Sequence, residues 1–367
     1  MSTHSFWVHG CATLSWLLLS TGCAVANQSL AVPDGFSSPV VVGKRGHSEC
    51  PTAPVPFVGS LNFPSKYEGS GTARDELNPD AEQRYKGATE SISQLEAGVA
   101  SLTSRYLQRG SISDLSCVLS WLDRWATQDA LLGEAKTHTG KSVRKWALAS
   151  ISASYLRLQR SASNPLIGHD EQRAHIEQWL RAIASRVVVE WPLSMPSSKV
   201  NNHYYWAAWS LVATGTALND SALFDYGLAI FRTFEGQLTV DGLLPNEVAR
   251  RSRALNYHAY ALAPLAMIAT FAVANGKSIE VDAQSPLGRL ASTVFDGFQS
   301  PDRFAKLVGV KQETSSSVST NFSWLEPYCA ITTCNESMGT FLQAHRPLKS
   351  TRMGGDLTAL FSRTVQP

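Results

Sequence analysis

Asn201-Asn202-His203-Tyr204-Tyr205-Trp206 brings amides, an imidazole, two phenols and an indole onto one helical start. Such a turn offers an amide to pair with a carboxyl, a ring that titrates near neutrality, and flat faces on which sugars stack. A second cluster of the same character follows: Pro245-Asn246-Glu247, Arg250-Arg251 and Asn256-Tyr257-His258-Ala259-Tyr260. Together the two segments read as a cleft that handles a polysaccharide. Each member has a plainer reading when taken singly. Asn202 alone is a helix N-cap, His203 a bonded structural histidine, Arg250-Arg251 a solvated face, and Tyr257 a core residue with a satisfied hydroxyl. Trp206 and Trp209 stand at i and i+3, so at least one of them packs.

The elements that must position these groups are helical almost throughout. Ile92, Leu95, Val99, Leu102 and Tyr106 recur at spacings of three and four and stop at Gly110. Leu115, Val118, Leu122 and Trp125 form a second stripe, opened by Ser113-Asp114 as a capping pair. Further stripes run from Val143 to Leu158, from Ile176 to Val187, after Asn202, from Leu223 to Phe231, and from Tyr257 to Val273, where Pro264 should start or kink the regular helix. Ser285-Pro286 caps the last, which carries Leu287, Leu290, Val294 and Phe298. Helices in succession with short loops and no strand series predict an all-α domain of antiparallel hairpins. Residues 27–62, rich in Pro, Gly and Ser, read as an extended arm wrapping the domain.

The 367-residue chain is long enough for one large domain or two ordinary ones. Its net charge of +2, without a basic run, argues against a nucleic-acid partner. Residues 1–26 hold no Lys, Arg, Asp or Glu, include Trp16-Leu17-Leu18-Leu19 and end in Ala24-Val25-Ala26. They read as a secretory signal peptide, with the mature chain starting at Asn27 and carrying no membrane span. Lipidation at Cys23 is the lesser alternative; a spanning helix is disfavoured because the apolar run is short and broken by polar residues. Removal of that segment leaves Cys50, Cys117, Cys329 and Cys334, an even set that favours disulfides in an exported chain. Cys329 and Cys334 can close a small loop, leaving Cys50 with Cys117. The alternatives are four buried thiols, or a zinc site without the usual paired ligand spacing.

Six segments, in this order, resemble the periplasmic mannuronate-specific alginate lyases of polysaccharide lyase family five. They are Ser65-Lys66-Tyr67-Glu68-Gly69-Ser70, His138-Thr139-Gly140-Lys141-Ser142, Asn201-Asn202-His203, Leu244-Pro245-Asn246-Glu247, Arg253-Ala254-Leu255 with Tyr257-His258, and Trp324-Leu325-Glu326-Pro327-Tyr328-Cys329. The likeness runs from about residue 40 to Gly354-Gly355 and covers nearly all of the mature chain. It implies an incomplete α/α toroid spanning residues 63–367, periplasmic location, and cleavage of alginate by β-elimination without metal or cofactor. It also implies an anionic polysaccharide as partner, with alginate-export proteins as further ones.

That reaction removes a C5 proton beside a uronate carboxylate, so the charge building there must be neutralised. Asn202 and His203 would donate to the carboxylate and Arg250 would add fixed positive charge. In mannuronate the C5 hydrogen and the C4 oxygen share a face, so the phenol of Tyr257 can serve both proton transfers. A lowered pKa is then required, which Arg250 and a cationic His203 would supply. His203 as the base is the alternative, above all on guluronate. Ser65, Lys66, His138 and Thr139 match substrate contacts, and Trp206 and Tyr260 are candidates for sugar stacking. Tyr204 and Asn256 depart from the family pattern.

Two other functions fit parts of the sequence. A toroid glycoside hydrolase would need two carboxylic acids flanking the bond, drawn from Glu68, Asp241 and Glu247. A non-catalytic component could hold alginate during export.

Overall fold

The computed structural model describes Met1, residues 29–37 and residues 49–361. The expected signal segment, the lipidation candidate Cys23 and part of the arm lie outside the described residues. Fifteen helices follow one another among the described residues. They are α1 (Pro79–Ala88), α2 (Glu90–Arg109), α3 (Ile112–Thr127), α4 (His138–Gln159), α5 (Asp170–Glu190), α6 (Asn202–Leu218), α7 (Ser221–Glu235) and α8 (Pro245–Val248). After these come α9 (Ala254–Ala274), α10 (Pro286–Gln299), α11 (Pro301–Val308), α12 (Val318–Phe322), α13 (Leu325–Ile331), α14 (Glu336–His345) and α15 (Leu357–Phe361). The two-residue strands β1 (Lys349–Ser350) and β2 (Gly355–Asp356) pair antiparallel around a 3-10 turn.

Helices α2, α4, α6 and α9 pack in sequence as an inner ring, backed by α3, α5, α7 and α10 outside. The ring continues to α13 and stops there; the β1–β2 hairpin and its turn pack against α4 and α2 instead. This is the incomplete α/α toroid. The inner helices α4, α6 and α9 are buried on nearly every face, as befits elements covered on both sides. Helix α9 with its leading turn is apolar and long enough to cross a membrane, yet 78% of that stretch is buried inside the protein.

Helix boundaries follow local chemistry. The α2 stripe is buried, and Gly110 ends the helix in the left-handed conformation at φ 64°. Helix α3 corrects the expected cap: Ser111 accepts from the Asp114 amide, while the Asp114 carboxylate pairs with Arg105. Helix α6 is capped by Asn201, which accepts from the His203 amide, so Asn202 occupies the first helical position and is not the cap. Pro264 neither starts nor ends α9; the helix opens ten residues earlier, at Ala254. Proline cannot bond the carbonyl four residues back, that of Tyr260. The Trp206 indole N–H takes that carbonyl instead, at 3.0 Å.

All four described cysteines are in disulfides, Cys50–Cys117 and Cys329–Cys334. The first joins the arm to α3. Along the arm, Leu30 and Ala31 donate to the side chains of Asn219 and Asn275, and Trp125 donates to the Pro54 carbonyl at 3.0 Å. Only the short 3-10 turn Asp34–Ser37 interrupts its extended run among the described residues. The arm crosses the first turn of α4 so closely that a Cβ on Gly140 would sit 1.5 Å from the Leu61 carbonyl oxygen.

Candidate active site

The first turns of α4 and α6 and the start of α9 open on the same cleft, bringing His138, Asn202 and Tyr257 together at helix starts. Unpaired amides at such ends carry partial positive charge that favours an anion. The cleft encloses about 560 Å³ and continues into a second lobe of about 410 Å³, the two sharing Tyr85, Trp146, Tyr260 and Arg352. Lys66, Arg74, Arg250, Arg253 and Arg352 line the main lobe, and among the described residues no Asp or Glu does; Glu96 lines the second lobe, 3.7 Å from Arg352.

Tyr257 stands at the centre. Its hydroxyl is 2.8 Å from that of Tyr67, and the Arg250 guanidinium lies 3.6 Å from its ring centroid. Burial pushes the Tyr257 phenol well above its ordinary pKa, while Arg250 acts in the opposite direction. Arg250 is held by one bond to the Arg74 carbonyl, and its Nε is buried with no partner.

His203 presses its ring between Trp146 and Trp191, edge-on to His138 at 4.6 Å. Nδ1 is 3.0 Å from the Ser142 hydroxyl and 3.2 Å from the Lys145 ammonium. Burial, and then the charge of Lys145, hold His203 well below the usual histidine range. His138 is pushed down to about 4, again chiefly by burial. The expected cationic His203 is therefore corrected: the ring is neutral at working pH and cannot itself favour a phenolate.

Asn202 directs its donors inward. Its backbone amide bonds Glu247 Oε1, and its Nδ2 lies 3.1 and 3.0 Å from the two Glu247 oxygens. Its Oδ1 is buried with no partner. Glu247 is fully buried, and that burial raises its carboxyl to about 7 against the downward pull of the Asn202 bonds and Arg250.

Ser65, Lys66, His138, Thr139, Asn202, His203, Arg250, Tyr257 and Tyr260 all line the main lobe. Trp206 lines the second lobe instead, 2% exposed beneath Tyr260, with its indole N–H committed to the carbonyl freed by Pro264. Trp146, Tyr85 and Tyr260 reach both lobes, and the Arg352 guanidinium lies 4.3 Å from the Trp146 ring. Sequence reasoning gave no role to Trp146, Ser142 or Lys145, although His138, Ser142 and Lys145 fall at i, i+4 and i+7, a polar stripe on a buried helix. Arg74 sits in a turn and Arg352 in the single 3-10 turn Thr351–Met353, both too short for periodicity to mark them. Of the three carboxylates weighed for hydrolysis, Glu68 pairs with Arg84 at the surface, Asp241 is exposed, and Glu247 is sealed beneath Asn202.

A helical toroid whose main lobe carries aromatic faces and cations without a lining acid among the described residues is the framework of an enzyme acting on an anionic polysaccharide. The chain matches the alginate lyase family over residues 62–304. It is 43% identical to an alginate lyase of Azotobacter vinelandii over 346 residues, covering 94% of this chain and 92% of the relative. It is 42% identical to one from Pseudomonas aeruginosa over 335 residues, 91% of each chain. Among solved structures, a variant of alginate lyase A1-III complexed with tetrasaccharide superposes with a TM-score of 0.73 at 23% identity, covering 93% of this chain and 98% of that one. The crystal structure of alginate lyase A1-III from Sphingomonas species A1 gives 0.70 at 23% identity, over 92% and 98%. The chain belongs to the alginate lyase family and is an alginate lyase by class of activity.

Proposed function

We propose that the protein is a poly(β-D-mannuronate) lyase of the periplasm, using Tyr257 for both proton transfers of a same-face elimination. The observation that carries this is the main lobe itself: among the described residues five cationic side chains and no carboxylate surround a half-buried phenol. Cleavage by two flanking carboxylic acids has no candidates there.

The uronate carboxylate is met by Arg250, whose unbonded Nε is a ready donor, and by the neutral His203 through Nε2. Asn202 lines the same lobe, and exchange of its Nδ2 from Glu247 to the uronate would supply a third donor. Tyr257, as phenolate, takes the C5 proton and returns it to the departing C4 oxygen. Lys66 and Arg352 suit flanking uronates, and Trp146 supplies the sugar-facing ring. Two disulfides and the uncharged, small-residue-terminated N-terminal segment support an exported, oxidising location. In an exporting cell such an enzyme would clear polymer that strays from its channel.

Residues 27–367 incubated with polymannuronate or polyguluronate, with chelator present, test the assignment through ultraviolet absorbance of the new carbon–carbon double bond. A rise on polymannuronate that exceeds the rise on polyguluronate is expected. New reducing ends without absorbance would point to hydrolysis, and binding without new ends would point to a scaffold.

A further inference from the structure

Lys145 is a buried amine that the elimination does not use. It lies on α4, wholly shielded from solvent, with its ammonium 4.5 Å and 4.3 Å from the ring centroids of Trp146 and Trp191. Its one hydrogen-bond partner among the described residues is His203 Nδ1, at 3.2 Å. Burial, and then the charge of Arg352, push its pKa well below the usual lysine range; Glu190, the carboxylate acting in the opposite direction, is bonded to Arg144 instead. The two indole faces give the ammonium cation–π support in place of a counter-ion.

This geometry constrains the histidine. An ammonium has three donors and no acceptor, so a charged Lys145 requires Nδ1 to accept, and the single proton of the neutral ring then resides on Nε2. The Ser142 hydroxyl, 3.0 Å from the same nitrogen, donates or accepts equally and sets neither form. His203 Nε2 has no protein partner among the described residues, and the ring lines the cleft. The groups facing His203 from the other elements oppose a second proton on it: Arg250 ahead of α9, Arg74 in the loop before α1, and His138 at the start of α4.

We infer that Lys145 is a positioning residue that holds His203 with its proton on Nε2, making the imidazole a donor to a substrate anion and denying it a lone pair with which to take a proton from the sugar. The only lone pair of that tautomer is on Nδ1, directed at Lys145. The consequence is specificity: a uronate whose C5 hydrogen lies away from Tyr257 meets no base on the histidine side. Only this kinetic consequence rests on the lyase reading; the tautomer itself does not.

The test is long-range proton–nitrogen correlation spectroscopy on the protein labelled with ¹⁵N-histidine, His203 being assigned by its loss in His203→Gln. Wild type near neutral pH should show a pyridine-type Nδ1 and a pyrrole-type Nε2. Ser142→Ala and Lys145→Arg should keep that pattern. Lys145→Met should lose it, with the ring's titration moving upward. On polymannuronate, kcat of Lys145→Met should fall roughly tenfold to a hundredfold, the scale of one charge-assisted hydrogen bond, with KM little changed. Turnover of polyguluronate relative to polymannuronate should rise. A pyrrole-type Nδ1 in wild type overturns the inference whether or not the Met variant folds. So does a Lys145→Met spectrum and titration matching wild type, or loss of the pattern in Lys145→Arg. A wild-type protein with the expected tautomer and no lyase activity would sink the proposed function and leave this inference standing.

Discussion

The hydroxyls of Tyr257 and Tyr67 meet at 2.8 Å although 190 residues separate them in sequence. Tyr67 belongs to the loop that follows the arm, and Tyr257 to the first turn of α9, so the contact spans the cleft. It gives Tyr257 a partner that can accept its proton or donate one. Tyr257→Phe removes the group that moves protons and should lower kcat by about 10²–10⁴ or more, with thermal stability close to wild type. Tyr67→Phe removes only the partner and should cost less. Initial rates of double-bond formation check both; full activity in Tyr257→Phe would exclude that phenol as the proton carrier.

Burial raises the Tyr257 pKa, and the active form of the proposed base is the phenolate, so kcat should climb with pH on the alkaline side of neutrality. Arg250 lowers the same pKa from 3.6 Å. Arg250→Gln withdraws that stabilisation and should move the rising limb to higher pH, besides raising KM for an anionic polymer. A kcat profile measured across the alkaline range decides; an unshifted limb would separate Arg250 from the ionisation of Tyr257.

The toroid was legible because hydrophobic stripes at helical spacing are local in sequence and burial acts on each helix alike. Nine of the ten site residues named from sequence line the main lobe because helix starts gather them, and Trp206 lines the second. The depth of Trp206 was not legible, because its type suits either a sugar platform or a core; what sets its place is Pro264, whose missing amide leaves the Tyr260 carbonyl free for the indole. The charge of His203 was also illegible. Lys145, Arg74, Arg250, His138 and two indoles surround it from several segments, and no reading of its own segment sums them. Trp146 was hidden by the run of apolar residues on α4.

Glu247 couples the site to stability. Its carboxyl titrates near 7 in the folded protein against an ordinary 4.5, so folding favours the neutral acid. Its contribution is complete below about 4.5 and is lost as pH rises through about 7. Glu247→Gln cannot ionise and should show a flatter dependence of melting temperature on pH between these values. Parallel pH slopes for the two proteins would refute the assignment.

Five cations in the main lobe, without a lining acid among the described residues, make polymer capture electrostatic. KM for alginate should therefore rise as ionic strength increases from about 0.01 M to 0.15 M, where the screening length contracts from roughly 30 Å to 8 Å. The chemical step inside the buried site should be far less sensitive, so kcat should change little. A salt series at fixed pH separates the two; a KM indifferent to salt would remove the electrostatic account of binding.

The bond from Trp206 to the Tyr260 carbonyl exists because Pro264 leaves that carbonyl without its helical donor. Trp206→Phe should orphan a buried acceptor and cost about 1–3 kcal/mol from that source, with further loss from the smaller ring. Pro264→Ala restores a backbone donor to the same carbonyl, and the indole N–H then competes for it. In the double variant the carbonyl is bonded and no indole N–H remains, so the second substitution should recover part of what the first loses. Denaturant midpoints of the four proteins give the coupling energy directly. Additive losses would show that Trp206 supports the cleft by bulk alone, whereas a favourable coupling ties the position of Tyr260 to this exchange of donors.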